Sequence, residues 1–258
     1  MDALDTEPSF VPHDFANRFG VSPQALLRRM DKVFRETAQQ HRMTLGYVIA
    51  PNRGRDVAYL LQAAQFAVEM RDCGVVAFGY GGDESLGHSR MLEAVDAARA
   101  GGLRIVPHAG EMLGPESVDD ALKMMKPDRL AHGTSAIKDG RILNQLARLH
   151  IPCDVCITSN VRLGSVSSAS THPLLSMLEA GVPVTLNADD TTFFSSLLSE
   201  YTLARQSLGL SDVQLAQLAR NSLEAACMPA AARRRALTGL DKWLRNEQFL
   251  SAEGSALA

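Results

Sequence analysis

The run Pro107-His108-Ala109-Gly110-Glu111 places an imidazole and a carboxylate three positions apart. It follows a short, mostly apolar stretch at residues 103–106 and contains a glycine that suits a turn. A neutral imidazole is the commonest metal ligand near neutral pH, and a carboxylate readily donates or accepts a proton. A histidine at a strand end is also a common hydrogen-bonded structural residue, so this run alone leaves both interpretations of His108 open.

Similar polar residues follow later apolar stretches, where further strands are expected. They are His132, Ser159, Asn160, Asp189 and Asp190. Adjacent aspartates repel each other unless a cation neutralises one of them, so the last two favour a metal, although an aspartate pair after a strand also commonly caps a helix. Titratable groups at successive strand ends predict an enzyme site that is assembled from several loops.

The elements that would position these groups alternate along the chain. Stretches rich in apolar and β-branched residues predict strands at residues 45–50, 74–79, 103–107, 129–132, 151–157 and 183–187. Apolar residues with the 3.6-residue period of a helix predict helices at residues 22–40, 56–71, 119–125, 140–149, 212–226 and from 229 onward. This alternation predicts a parallel sheet covered by helices.

The expected fold class is α/β, a TIM-type (β/α) barrel with its active site at the C-terminal ends of the strands. A weak strand at residues 3–12 brings the count to about seven, whereas a closed barrel needs eight. We therefore predict an incomplete barrel whose first strand is absent. Residues 1–258 are predicted to form one domain that includes C-terminal helices at residues 211–245.

The bulk composition argues against several classes of protein. Apolar residues make up 46% of the 258 residues, which is enough for a sizeable core, and no segment approaches a membrane span. The net charge of −3, without a long basic run, argues against nucleic-acid binding. No signal peptide precedes the first acidic residues and the four cysteines are scattered, which predicts a cytoplasmic chain without a disulfide framework.

One motif suggests a different zinc enzyme. Pro152-Cys153-Asp154-Val155-Cys156 contains half the signature of the zinc-dependent cytidine deaminases. The segment has the composition of a buried strand, and residues three apart on a strand point to opposite faces. We therefore predict that Cys153 and Cys156 are buried free thiols that pack as small apolar groups.

Several motifs, in order along the chain, resemble the adenosine deaminase family. They are Gly81-Gly82-Asp83-Glu84, His108-Ala109-Gly110-Glu111, Arg129-Leu130-Ala131-His132-Gly133, Thr158-Ser159-Asn160, His172-Pro173-Leu174 and Leu186-Asn187-Ala188-Asp189-Asp190. The resemblance extends from about residue 21 to residue 243. It implies a TIM-type barrel that binds one zinc ion and hydrolyses the 6-amino group of a purine.

The resemblance also implies a role for each matching residue. His108 and Asp189 match zinc ligands, and Glu111 matches the acid that protonates the purine ring nitrogen beside the reacting carbon. His132 matches the histidine that orients the attacking water and assists its deprotonation. Asp190 matches an aspartate that hydrogen-bonds the substrate, and the backbone of Gly82 matches a contact to the purine ring.

The largest difference between the sequence and the family pattern concerns the metal ligands. Family members carry a His-x-His pair at the end of their first strand that supplies two further zinc ligands, and these 258 residues contain no such pair. Three explanations are consistent with this difference. The recorded start lies inside a longer product; the chain is a short paralogue that binds a purine or a partner without turnover; or His13 or His88 supplies a substitute ligand.

Two classes of function follow. The first is zinc-dependent hydrolytic deamination of adenosine or a related 6-aminopurine, with release of ammonia. The second is a catalytically impaired or inactive paralogue that acts as a purine-binding or protein-interaction module. The surviving Glu111, His132, Asp189 and Asp190 favour the enzyme. The expected partner is a small-molecule purine or purine nucleoside, with no nucleic acid and no membrane, and an unclosed barrel leaves strand edges available for oligomerisation.

Overall fold

A computed structural model of the chain describes residues 5–256. The first two residues of the strand predicted at 3–12 and both ends of the domain predicted at 1–258 lie outside this range. The fold groups into two compact units, Met1–Ile142 and Leu143–Ala258. The single domain that we expected for the whole chain, C-terminal helices included, stays a prediction.

Unit 1 contains a parallel sheet that carries the first group of candidate residues. Its strands are β1 (Asp5–Thr6), β2 (Ser9–Phe10), β3 (Thr44–Leu45), β4 (Tyr47–Ile49), β5 (Val75–Tyr80), β6 (Arg104–Ala109) and β7 (Leu130–His132). Five of these strands pair in the order β2-β4-β5-β6-β7, each parallel to its neighbour, and β1 pairs with β3. Because parallel strands end at the same edge, their C-terminal loops lie side by side.

In the described part of unit 1, side chains cap the two longest of five α-helices. They are α1 (Pro12–Ala16), α2 (Pro23–Gln40), α3 (Val57–Glu69), α4 (Leu92–Ala100) and α5 (Pro115–Asp120). The Ser22 hydroxyl caps α2 through the N–H of Ala25, and the Asp56 carboxylate caps α3 through the N–H of Tyr59. The apolar face of α3 is buried in the core together with that of α4.

The helix predicted at residues 119–125 is longer and less regular than expected. It begins at Pro115, because proline suits the first helical position, where no N–H is required. It then passes from α-helix into a π-helical turn at Ala121–Met125, which ends at Lys126 in a left-handed conformation with φ 45°. Asp119 therefore lies inside this segment and does not begin it.

Unit 2 contains a parallel pair of strands and the C-terminal helices. The strands are β8 (Cys153–Val155) and β9 (Val184–Leu186). The helices from 140 onward are α6 (Gly140–Leu149), α7 (Ile157–Arg162), α8 (Leu174–Glu179), α9 (Leu197–Leu208), α10 (Asp212–Ala225) and α11 (Ala230–Ala256). A capping box formed by Ser211 and Gln214 begins α10.

Two features of unit 2 bear on the sequence interpretation. Cys153 and Cys156 are buried free thiols, as expected. Ser159 and Asn160 do not end a strand but lie in α7, one turn after β8. Within residues 5–256, no helix combines the length and apolar character that a membrane crossing requires.

Candidate functional site

Three predicted site residues of unit 1 lie together at the ends of adjacent strands. Glu111 Oε2 lies 3.4 Å from His132 Nε2, and the His132 side chain is only 4% exposed. The ring centroids of His108 and His132 are 5.2 Å apart, with the planes tilted by 56°. The structure therefore places one carboxylate and two imidazoles in contact, which is a suitable arrangement for proton transfer and for metal binding.

The backbone at His132 is strained. Its φ is 67°, and Gly133, the next residue, has φ 70°. A left-handed conformation is uncommon for a residue with a β-carbon and costs about 1–3 kcal/mol. Asp189 in unit 2 shows the same feature, with φ 57°. Arg42, Lys126 and His150 adopt the same conformation and are not predicted site residues, so a left-handed backbone alone does not mark a functional residue.

Gly82 lies in the exposed loop after β5 and has φ 87°. A β-carbon at this position would lie 2.3 Å from Asn52 Oδ1, far inside van der Waals contact. Only glycine fits here, because both the conformation and the space exclude a side chain. The loop consequently exposes bare backbone, which agrees with the contact to a flat ring that the motif implies for Gly82.

A buried carboxylate, Glu84, organises the loop that carries Glu111. Its Oε2 accepts hydrogen bonds from the N–H of Met112 at 2.7 Å and of Leu113 at 2.9 Å. Its Oε1 accepts from the N–H of Gly110 and from the hydroxyl of Ser117. Burial alone would raise the pKa of Glu84, but these hydrogen bonds outweigh burial and lower the pKa below its usual value.

A buried guanidinium, Arg53, connects the loop after β4 with the segment after β5 and with strand β6. It donates to the carbonyl oxygens of His108 at 2.7 Å, Gly81 at 3.3 Å and Gly87 at 3.4 Å. Its Cζ lies 5.1 Å from the centroid of the Tyr80 ring, in a cation–π contact. Burial lowers the pKa of Arg53, but an arginine remains charged near neutral pH.

His88, one of the alternative ligands, has both ring nitrogens engaged. Burial raises the pKa of Tyr80, so its hydroxyl stays protonated and donates to His88 Nδ1 at 2.8 Å. His88 Nε2 then carries the hydrogen and donates to the Ser117 carbonyl at 3.0 Å. Burial and the nearby Arg53 charge lower the pKa of His88 and keep it neutral. These contacts make it a structural residue, whereas His13 packs edge-on against Phe66.

Arg53 and Glu84 are buried charged residues for which the sequence predicted no role. Glu84 belongs to the Gly81-Gly82-Asp83-Glu84 motif, and Arg53 lies three residues after the apolar stretch at residues 45–50. The available signal was a charged residue a few positions after a predicted strand, where most loop charges face solvent. Both side chains are buried instead.

The aspartate pair lies directly after β9 in unit 2. Asp189 Oδ1 accepts the N–H of Asp190 at 2.8 Å, and Asp190 Oδ1 accepts the N–H of Thr192 at 2.9 Å. The Asp190 carbonyl accepts from the N–H groups of Phe193 and Phe194, which closes a turn. No helix begins at this pair, so helix capping does not account for it, and both residues are exposed.

His172 has a structural role in unit 2. Its Nδ1 accepts the N–H of Leu174 at 3.1 Å, so Nε2 carries the hydrogen and donates to Asn160 Oδ1 at 3.2 Å. Burial lowers the pKa of His172 to about 4. The neutral ring is therefore the form that ties the loop before α8 to α7.

This arrangement predicts that acid weakens unit 2. The unfolded chain binds a proton at His172 near pH 6.5 and the folded chain only near pH 4, so stability is complete above pH 6.5 and decreases as the pH falls through this window. We expect protonation of His172 to lower the free energy of unfolding by about 3 kcal/mol by pH 4. Urea unfolding at a series of pH values measures this contribution when the wild type is compared with His172→Gln. Parallel pH profiles for the two proteins would contradict the prediction.

The residues that match metal ligands have donor types that suit a zinc ion. His108 offers an imidazole nitrogen and Asp189 a carboxylate oxygen, and both are ligands that zinc takes in catalytic sites. The residues present therefore fit the metal that the motifs imply.

Comparison with known proteins agrees with the motifs. The sequence model of the family described as Adenosine deaminase matches residues 6–243. A putative adenosine/adenine deaminase from Streptomyces coelicolor is 38% identical over 235 residues, which cover 90% of this chain and 68% of that protein. An aminodeoxyfutalosine deaminase from Streptomyces avermitilis is 42% identical over 176 residues, which cover 67% of this chain and 49% of that protein.

A solved structure shows the same fold. A zinc-bound amidohydrolase from Burkholderia ambifaria aligns with a TM-score of 0.87 and 19% identity, covering 98% of this chain and 71% of its own. This likeness confirms the expected fold class, an incomplete TIM-type (β/α) barrel. The chain spans from about half to about two thirds of the length of the two Streptomyces relatives. On the match over residues 6–243 and the identity to these relatives, the chain belongs to the adenosine deaminase family.

Proposed function

We propose that the chain catalyses the hydrolytic deamination of adenosine, adenine or a related 6-aminopurine, with release of ammonia. The observation that carries this proposal is the contact between Glu111 and the buried His132, with the His108 ring beside them, in a chain of this family. The names of the two Streptomyces relatives, an adenosine/adenine deaminase and an aminodeoxyfutalosine deaminase, support a purine or a purine-like nucleoside as the substrate.

In the proposed reaction, water adds to the carbon that bears the amino group and ammonia leaves. A zinc ion, when bound, supplies a hydroxide nucleophile at neutral pH by lowering the pKa of water from 15.7 to about 7. His132 accepts the proton of the attacking water, and Glu111 donates a proton to the neighbouring ring nitrogen. Their separation of 3.4 Å supports this division of roles, because groups this close can act on neighbouring atoms of one substrate.

The remaining roles are proposals that rest on the motifs. His108 and Asp189 hold the metal, Asp190 hydrogen-bonds the substrate, and the backbone of Gly82 contacts the purine ring. The bare backbone at Gly82 supports the last of these assignments. We also propose a cytoplasmic location, where free thiols such as Cys153 and Cys156 stay reduced.

The decisive experiment combines metal analysis with a substrate panel on the 258-residue chain. We expect close to one zinc per chain without added metal, and release of ammonia from at least one of adenine, adenosine and aminodeoxyfutalosine. Removal of zinc with a chelator should abolish turnover, and added zinc should restore it. Binding of a purine by calorimetry without ammonia release would replace this proposal with the purine-binding module.

A further inference from the structure

We propose that Glu84 is a positioning residue for Glu111: its buried carboxylate holds the backbone on both sides of Glu111 and so directs that side chain toward His132. This inference rests on the proposed function for the role of Glu111. It assigns to Glu84 a task that differs from proton transfer and from binding, because Glu84 acts through another residue.

The pattern of hydrogen bonds carries the inference. Glu84 accepts the N–H of Gly110, which precedes Glu111, and the N–H groups of Met112 and Leu113, which follow it. The Glu84 carboxylate thus holds the backbone both before and after Glu111. We call this set of hydrogen bonds the Glu84 clamp. Since a side chain leaves the backbone at a fixed angle, a backbone held on both sides limits the directions available to the Glu111 carboxylate.

The Glu84 carboxylate is itself fixed by its own 3-10 turn and by a hydrogen bond from α5. Glu84 begins a short 3-10 turn, Glu84–Leu86, four residues after the end of β5, and Ser117 of α5 donates its hydroxyl to the same carboxylate. The Ser117 carbonyl in turn accepts a hydrogen bond from His88, whose ring is fixed by Tyr80 on β5. Strand, turn and helix therefore converge on one buried anion, and such a network resists rearrangement when every member is satisfied.

The loop has little freedom to compensate if the clamp is lost at one end. Gly110 has φ 68°, and a β-carbon there would lie 2.4 Å from Val118 Cγ2 and 2.5 Å from Ser135 Oγ. Its backbone is therefore packed against α5 and the segment after β7. The freedom that remains lies in residues 111–113, where Glu84 supplies two hydrogen bonds.

The chemistry requires a carboxylate and not its amide. Each oxygen of Glu84 accepts two donors, whereas a glutamine offers one oxygen and turns an NH₂ group toward the other two donors. The lowered pKa of Glu84 agrees with a permanently ionised acceptor. Glu84→Gln preserves the shape of the side chain and so tests the hydrogen bonds specifically.

Hydrogen exchange tests the clamp without any reference to turnover. In Glu84→Gln we expect the amides of Met112 and Leu113 to exchange at least about tenfold faster, because a hydrogen bond to a charged group is lost. Glu116→Gln, the same substitution at an exposed position on α5, is the matched control and should leave these amides unchanged. Unchanged protection in Glu84→Gln would overturn the proposal.

A double-mutant cycle tests whether Glu84 acts through Glu111. We expect Glu84→Gln to lower kcat by about 10- to 100-fold with a much smaller change in KM, since misplacing a proton donor affects the transition state most. In the Glu111→Gln background the same change should cost less than about twofold, because there is no acid left to position. Equal losses in both backgrounds would overturn the positioning role.

A folding defect of Glu84→Gln and an inactive wild type can each be told apart from failure of the positioning role. If Glu84→Gln does not fold, Glu84→Asp retains the charge but is one methylene too short to reach all four donors, and the same cycle applies with an intermediate loss. If the wild-type chain releases no ammonia, the proposed function fails, whereas hydrogen exchange still decides whether Glu84 holds the loop.

Discussion

Glu111→Gln is expected to reduce kcat for deamination by about 100- to 10,000-fold, the range that a positioned general acid contributes. The amide has nearly the same shape as the carboxylic acid, but it cannot transfer the proton that the purine ring nitrogen requires. The contact with His132 at 3.4 Å places Glu111 beside the second proton-transfer group, so its loss cannot be replaced from bulk water in the same geometry. Steady-state ammonia release from the best substrate of the panel measures the effect.

Two measurements make this result specific. The zinc content of Glu111→Gln should equal that of the wild type, because His108 and Asp189 are the proposed ligands. Glu116→Gln should turn over at the wild-type rate, since Glu116 is exposed on α5. A Glu111→Gln protein that retains zinc and more than a tenth of the wild-type kcat would show that another group protonates the substrate.

Arg53→Met should lower the free energy of unfolding by about 2–4 kcal/mol. The guanidinium is fully buried and donates to three backbone carbonyls, of His108, Gly81 and Gly87. Methionine fills a similar volume with an adaptable side chain, so the cost arises from the buried acceptors that lose their donor. Because these carbonyls belong to the segment after β5 and to strand β6, we expect the loss of stability to include the loop that follows β6.

The chain contains a matched control two residues away. Arg55 is exposed, its Nη2 lies 2.8 Å from Asp14 Oδ1, and its guanidinium lies over the Tyr59 ring. Arg55→Met should therefore lower the free energy of unfolding by less than about 1 kcal/mol. Urea unfolding of both variants under one condition measures the difference directly. Equal losses in the two variants would show that the buried hydrogen bonds of Arg53 contribute no more than a surface contact.

The strands were the most predictable part of the fold. The strands expected at residues 74–79 and 103–107 are observed as Val75–Tyr80 and Arg104–Ala109, because a strand buried on both faces must be apolar over its whole length. The helix at 140–149 was also confirmed. These elements follow from local composition, which sequence patterns report well.

Helix α7 shows why other elements were missed. Its residues Thr158, Ser159 and Asn160 have low helix propensity, and the sequence favoured a strand end there. The carboxylate of Glu200, on α9, accepts the N–H of Thr158 at 3.2 Å and satisfies a backbone donor of the first helical turn. A cap supplied from a distant helix leaves no trace in the local sequence.

Some residues of the candidate site could be predicted from the sequence and others could not. The contact of His108, Glu111 and His132 could be expected, because each lies at the end of one of two adjacent strands. The buried charges of Arg53 and Glu84 could not, because their partners are backbone groups of other loops. Backbone N–H and C=O groups occur at every position, so no residue pattern marks the places where several of them converge.

The left-handed backbone at His132 also restricts how this position can change during evolution. Histidine, asparagine and aspartate adopt that conformation more readily than other residues with side chains, whereas β-branched residues are excluded even though β7 would otherwise favour them. Among the residues that one base change can produce from a histidine codon, only asparagine and aspartate meet this requirement. Both are polar, so a lineage that loses the imidazole and keeps the fold still retains a hydrogen-bonding group beside Glu111.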